Sequence, residues 1–387
     1  MQNIGIIAEF NPFHSGHKYI IDEIKDENTA ITVVMSGNFV QRGDTAIVSK
    51  SERAKAALKN GADLIIELPT PWSMATANDF AFGGVSILKN LGNIDGICFG
   101  SECGDIEHLK QTAELLISDE FNTKLNNNLN GGDTFAKLRS NTARLWGEQF
   151  EKVLQNPNDT LATEYIIAAK RLAFDCEFSC VKRVGAPHDS VCLAEHLSAS
   201  MIRQQIKNGN FDVVRKYIPD FDSNSNVSSI ENIENAILCD LRRKTVTNSL
   251  RNIADVSEGI ENRLKNAILK ATSLDELYSL IKTKRYTLAR IRRLVLSAYL
   301  GIDSTYHAKE PPYIRVLGFT KKGEEILRDA NKKANVPIIT TASNLDKLDE
   351  FGKRVWQNEC IATDIFSLSL TVPQACGNEY YHKIIKE

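Results

Sequence analysis

The chain is expected to fold as an α/β protein: a Rossmann-like domain of parallel strands over residues 1–205, then a mainly helical module over 206–387 that ends in a small mixed α/β tail. Three observations predict this. Short apolar runs alternate with helix-period segments through the first hundred residues. The turns after those runs hold Gly, Ser and Asn, where parallel sheets of this kind take their ligands. From Ile230 to Leu300 the pattern turns mostly helical, beyond a polar stretch, Asp220 to Ser229, that reads as a linker.

Taken in order, Ile4 to Glu9 reads as a buried strand and Ser15 to Lys25 as a helix. Ala30 to Met35, rich in Val, Ile and Thr, is the next strand. A loop runs to Ser51, and the helix after it extends through Lys59 with Gly61 to close it. Leu64 to Leu68 is a third strand, stopped by Pro69; a helix from Thr76 to Leu91 and a strand from Ile94 to Gly100 follow. Ile106 to Leu154 reads as helical with an Asn/Gly-rich break at Asn126 to Gly132. Ser179 to Val184 reads as the last strand of the first domain, and Ser198 as the cap of a helix that carries Arg203. In the tail, Tyr313 to Phe319 and Val336 to Thr340 read as strands on either side of a helix over Gly323 to Lys333.

The chemistry concentrates at Glu9-Phe10-Asn11-Pro12-Phe13-His14-Ser15-Gly16-His17. Two histidines three positions apart at a helix start share one face, and the helix terminus offers unpaired N–H groups to an anion. Gly16 leaves the backbone open to close approach, and Asn-Pro holds the segment before it extended. Such an arrangement suits stabilisation of charge at a nucleotide α-phosphate as pyrophosphate leaves. The plainer reading is a helix cap and a surface side chain.

Further segments carry a resemblance. Met35 to Asp44 (MSGNFVQRGD), Lys50 to Arg53 (KSER), Gly61 to Pro69 (GADLIIELP), Phe99 to Glu102 (FGSE), Asn156 to Asn158 (NPN), Lys182 to Gly185 (KRVG) and Ser198 to Arg203 (SASMIR) stand in order behind the histidine motif. Glu258 to Arg263, Lys284 to Arg290 and Ile314 to Phe319 extend the match over essentially the whole chain. The set resembles the bacterial tRNA(Met) cytidine acetate ligase family of the H-x-G-H nucleotidyltransferases.

That resemblance implies a nucleotidyltransferase domain followed by a tRNA-binding module. It implies catalysis by His14 and His17, and an ATP site made by Ile7, Ala8, Glu9, Phe10, Asn11, Pro12, Phe13, His14, Ser15, Gly16, His17, Lys18, Tyr19 and Ile20 together with Gly100, Asn158, Arg183 and Arg203. Acetate would attack the α-phosphate of ATP to give acetyl-adenylate, and the wobble cytidine of elongator tRNA(Met) would then take the acetyl group, yielding N4-acetylcytidine and AMP. Mg2+ is expected because ATP chemistry usually needs a hard cation held by phosphate oxygens; no metal motif is visible. Glu9, Gln41, Arg42, Asp44, Lys50 and Arg53 read either as a solvated loop or as a cradle for triphosphate, Mg2+ and acetate. Two other functions stay open: an adenylyltransferase that builds a dinucleotide cofactor, and a non-catalytic, ATP-responsive RNA-binding factor.

Composition sets the remaining bounds. A formal net charge of −2 means that any nucleic-acid surface must come from local clustering. Lys282, Lys284, Arg285, Arg290, Arg292 and Arg293 supply one, with Tyr286 among them and no acid, and are the expected tRNA-binding residues. Arg242, Arg243, Lys244, Lys321 and Lys322 are weaker candidates. Eight cysteines include no C-x-x-C spacing and are expected to be reduced. No apolar run is long enough to span a bilayer and the start lacks a signal-peptide pattern, so a cytoplasmic protein with no membrane and no evident protein partner is expected.

Overall fold

A computed structural model describes residues 1–127, 133–183, 197–247, 249–250, 252–256 and 259–387. Val184, Gly185, Cys192, Glu258 and most of the Asn126 to Gly132 break lie outside these residues. The strands are β1 (Gln2–Ala8), β2 (Thr29–Ser36), β3 (Phe39–Val40), β4 (Asp44–Thr45), β5 (Leu64–Leu68), β6 (Gly96–Ser101), β7 (Glu177–Lys182), β8 (Ile314–Phe319), β9 (Ile338–Ile339) and β10 (Ile385–Lys386).

Five of them form a parallel sheet in the order β5-β2-β1-β6-β7. The order reverses between β1 and β6, so the crevice beyond their carboxyl ends is the place where such a sheet binds ligands. Neighbouring residues of each strand serve opposite faces. Ile6, Val33 and Ile65 pack into one core with Phe13, Ile21 and Leu58, whereas Ile7, Val34 and Ile66 pack into the other with Phe80, Val85 and Tyr165. On that second face helix Ala77–Leu91 lies close against β1, because a Cβ added at Gly84 would stand 2.8 Å from Ile7 Cγ2. A larger residue there would push the helix away from the crevice.

The strands and helices expected in the first hundred residues fall within two residues of their expected bounds, while the short pair β3 and β4, in a segment expected to be loop, and the helix Thr70–Ser73 were not foreseen. The tail differs in a way no local pattern reveals. β8 joins the first sheet antiparallel to β5, with a register shift between Ile65 and Ile66, and β9 and β10 pair with β8. The tail strands therefore extend the amino-terminal sheet instead of standing apart. The linker segment is also fixed in place: Ser228 bridges Leu370, and the Ser228 and Ser369 hydroxyls lie 2.6 Å apart. Helices Glu234–Val246, Ile260–Ile268, Leu274–Ile281 and Leu288–Leu300 supply the expected helical module, and their apolar faces belong to the same large core as the sheet. Among the described residues, no helix is long and apolar enough to cross a membrane, and seven cysteines are free thiols.

Candidate active site and nucleic-acid surface

A cleft of about 310 Å³ opens beyond the carboxyl ends of β1 and β6. His14 is the N-cap of helix Ser15–Ile24, and His14 and His17 form a reciprocal capping pair. His14 Nδ1 accepts from the Gly16 N–H at 3.0 Å, and His17 Nδ1 accepts from the His14 N–H at 3.2 Å. The cap reading therefore holds for both side chains, and the first N–H groups of the helix are taken: the Gly16 N–H by His14 Nδ1 and the Ser15 N–H by the Tyr217 carbonyl at 2.7 Å. With Nδ1 occupied as an acceptor, each neutral ring must carry its proton on Nε2. Burial, then Arg183 and Arg203, lowers the His14 pKa to about 4; burial, His14 and Arg183 hold His17 well below its ordinary value. Both rings are therefore neutral near pH 7, and both line the cleft with Nε2–H as the remaining donor.

Cationic groups and helix starts surround them. Ser198 caps helix Ala199–Lys207 by accepting from the Met201 N–H, and this places Ser198, Ser200 and Arg203 on the cleft wall. The helix is held there by Ile202 and Ile206 packed on Ile47 and Val48. Arg203 Nη1 donates to the Asn11 carbonyl at 2.8 Å, tying the two helix starts together. Arg183 follows β7, and its backbone N–H donates to the Ser101 carbonyl at 2.9 Å. Gly100 lies beside it: a Cβ there would be 3.0 Å from Ile20 Cδ1 and 3.6 Å from Arg183 Cγ. Phe80, Phe99, Leu161 and Tyr165 form the apolar part of the wall.

Asn158 reaches the cleft through an exchange of caps that sequence reasoning missed. Glu102 accepts from the Asn158 amide at 2.5 Å and from the Asp159 N–H at 2.9 Å, at the start of helix Pro157–Arg171. In return the buried Asp159 carboxylate accepts from the Ser101 hydroxyl at 2.5 Å and the Glu102 N–H at 2.8 Å. The only sequence sign of this was that FGSE and NPN each stood out as motifs.

Not every expected ATP residue lines the cleft. Pro12, Phe13, Lys18 and Tyr19 do not, whereas Ile7 to Asn11, His14 to His17, Ile20, Gly100, Asn158, Arg183 and Arg203 do. Phe13 is buried edge-on to Phe10 with centroids 5.0 Å apart, and Lys18 points outward to Asp22 at 2.8 Å. The polar set divides in the same way. Glu9, Gln41 and Arg42 line the cleft; Asp44, Lys50 and Arg53 do not.

Arg53 is instead an internal brace. It is buried and donates to the backbone carbonyls of Glu9 at 2.8 Å and Ser36 at 3.0 Å, and to those of Gly37 and Val48, fixing the strand ends that floor the site. Lys50 is buried among Glu67 at 2.6 Å, Glu359 at 3.7 Å and Glu379, with Arg315 on Glu379 at 3.5 Å. Burial opposes the Lys50 charge, but Glu379, Glu67 and Glu359 outweigh it and raise the lysine pKa; burial raises that of Glu67. The three carboxylates lie close enough together to hold a metal ion, yet the lysine ammonium supplies the cation there.

The basic segment also divides. Lys282, Lys284 and Arg285 are exposed, while Arg290, Arg292 and Arg293 are half-buried. Arg290 and Arg293 both pair with Asp255, at 3.5 and 3.0 Å, and Arg292 lies over the Tyr278 ring. Lys284, Arg285 and Tyr286 line an open groove of about 700 Å³ with Arg263 and Lys270 across from them. Arg263 is partly spent on structure, because it donates to the Ile281 carbonyl at 2.8 Å. Of the weaker candidates, Arg242 and Lys244 hold the backbone carbonyls of Ala271 and Ala298, and Lys322 that of Glu27.

A family model described as HIGH Nucleotidyl Transferase matches residues 1–380. The chain is 39% identical over 399 residues to the tRNA(Met) cytidine acetate ligase of Thermoanaerobacter sp. (strain X514), with 99% of each chain covered. Among solved structures it is similar to Thermotoga maritima TmcAL bound with alpha-thio ATP, with a TM-score of 0.90, 31% identity and 100% of both chains covered. The apo form of that protein gives a TM-score of 0.92 and 32% identity, again over 100% of both chains.

Proposed function

Because the chain belongs to the HIGH nucleotidyl transferases and, among them, to the tRNA(Met) cytidine acetate ligases, we propose that its cleft binds ATP and acetate and joins them as acetyl-adenylate, releasing pyrophosphate. The acetyl group then passes to the exocyclic amine of the wobble cytidine of elongator tRNA(Met), giving N4-acetylcytidine and AMP. The observation that carries this reading is the pair of neutral imidazoles, each with Nδ1 held by backbone and Nε2–H left to donate, at a helix start flanked by Arg183 and Arg203. Charge developing on the α-phosphate meets fixed donors there without reorganisation.

Mg2+ enters with ATP as part of the substrate. The described wall of the cleft fits that role, since Glu9 is its one carboxylate and Mg2+ bound with nucleotides is held largely by phosphate oxygens and water. In this proposal residues 1–205 carry the adenylation chemistry and 206–387 the tRNA, with Lys270, Lys284 and Arg285 touching phosphates across the groove beside Tyr286. Lys282 adjoins that surface. An anticodon loop presents its bases unpaired, so the cytidine is reached at small cost. The enzyme acts in the cytoplasm. Acetate-dependent exchange of labelled pyrophosphate into ATP, without and then with tRNA, tests the reading.

A further inference from the structure

The first half-reaction brings two anions together, and the cleft answers with Arg42, Arg183, Arg203 and two neutral imidazole donors. A carboxylate in that company weakens anion binding. Yet Glu9 stands at the end of β1 as the one carboxylate among the described residues of the wall. Its Oε1 accepts from the Gln41 N–H at 2.8 Å, and no other hydrogen bond to this carboxylate is made by the described residues.

The second half-reaction has a need that the first lacks. As the exocyclic nitrogen of cytidine bonds to the acetyl carbonyl carbon, the acyl C–O bond to the adenylate breaks, AMP leaves with the electron pair, and the nitrogen must shed a proton. The histidines are badly placed to receive it. Their Nδ1 lone pairs hold backbone N–H groups and their Nε2 atoms already carry protons. The arginines are donors only.

We propose that Glu9 takes the proton from the cytidine amine through Oε2 while Oε1 keeps the Gln41 loop in place, a role that rests on the ligase reading above. The carboxylate releases the proton to solvent once acetylcytidine and AMP depart.

The test compares Glu9→Gln, Glu9→Asp and Glu9→Ala in two assays: acetate-dependent pyrophosphate exchange without tRNA, and single-turnover acetyl transfer from preformed acetyl-adenylate to tRNA(Met). Glutamine can still accept from Gln41 but cannot take a proton. Glu9→Gln should therefore slow transfer at least about a hundredfold more than it slows exchange, the usual scale of a lost general base. Glu9→Asp should recover part of the transfer rate, and Glu9→Ala should depress both assays as the Gln41 loop loosens. Equal losses in both assays for Glu9→Gln, or transfer at the wild-type rate, overturn the proposal. Failure of the ligase reading would appear separately, as an absence of acetate-dependent exchange in the unaltered enzyme.

Discussion

Arg293, on helix Leu288–Leu300, donates to the backbone carbonyl of Gln41 at 3.3 Å while its other nitrogens hold Asp255. The two segments are close packed at this point: Gly43, at φ +72°, lies so near that a Cβ there would be 2.5 Å from the Arg293 backbone nitrogen. Gln41 in turn donates to Glu9 in the cleft. The basic helix and the nucleotide cleft are thus joined through one side chain, so Arg293 belongs to the frame of both sites more than to a free phosphate-binding face. Arg293→Ala is expected to reduce pyrophosphate exchange and tRNA affinity together, and an effect on tRNA affinity alone would show that the hydrogen bond to Gln41 is idle.

Exposed members of the segment separate the two half-reactions better. Substituting Lys270, Lys284 and Arg285 together with Ala should weaken tRNA binding and flatten its salt dependence, by about one unit of slope at most for each phosphate left without its cation. Exchange without tRNA should persist. Unchanged tRNA binding at matched salt would show that these residues form only a solvated face.

His14→Asn and His17→Asn distinguish the cap from the chemistry. Asparagine caps a helix well, so thermal stability should stay near that of the unaltered protein. Exchange should fall by roughly two to three orders of magnitude, as on loss of a preorganised donor. Near-normal exchange in both variants would reduce the histidines to caps.

The same pair predicts a pH dependence. His14 stands at about 4 in the folded chain against an ordinary 6.5, so between those values the unfolded chain binds more protons. Its contribution is full above about pH 6.5 and is lost as pH falls toward 4. His17 and His382, also lowered chiefly by burial, act in the same direction. The denaturant midpoint should drop from pH 7.5 to 5, and drop less in a His14→Asn/His17→Asn double variant. An identical drop in both proteins would contradict the placement of the rings.

Lys50→Met leaves Glu67, Glu359 and Glu379 buried with one cation fewer, which typically costs about 3–5 kcal/mol. Denaturant unfolding should show the loss. A fully stable variant that no longer binds ATP would instead return Lys50 to the nucleotide site.

What the sequence disclosed followed the range of its interactions. The turn after β1, the capped helix starts at His14 and Ser198 and the end of β6 at Gly100 were legible because strand period, capping residues and turn residues are local signals. Lys50 and Arg53 read either as part of a solvated loop or as part of a ligand cradle, because they belong to a polar set that follows two adjacent strands. Only contacts with Glu379, 329 positions away, and with four backbone carbonyls reveal them as internal braces. The Glu102–Asp159 exchange, the Arg293–Gln41 hydrogen bond and the antiparallel addition of β8 share that property. Each joins segments whose partner no single-chain periodicity can name.

The most direct measurement is exchange of labelled pyrophosphate into ATP by the purified protein, with and without acetate, in the absence of tRNA. Label should enter ATP only when acetate is present, and AMP should then accumulate in proportion to acetylated tRNA(Met) once tRNA is added. Absence of acetate-dependent exchange, or acetylation of tRNA supported by acetyl-coenzyme A with ATP omitted, would contradict acetate activation in this cleft.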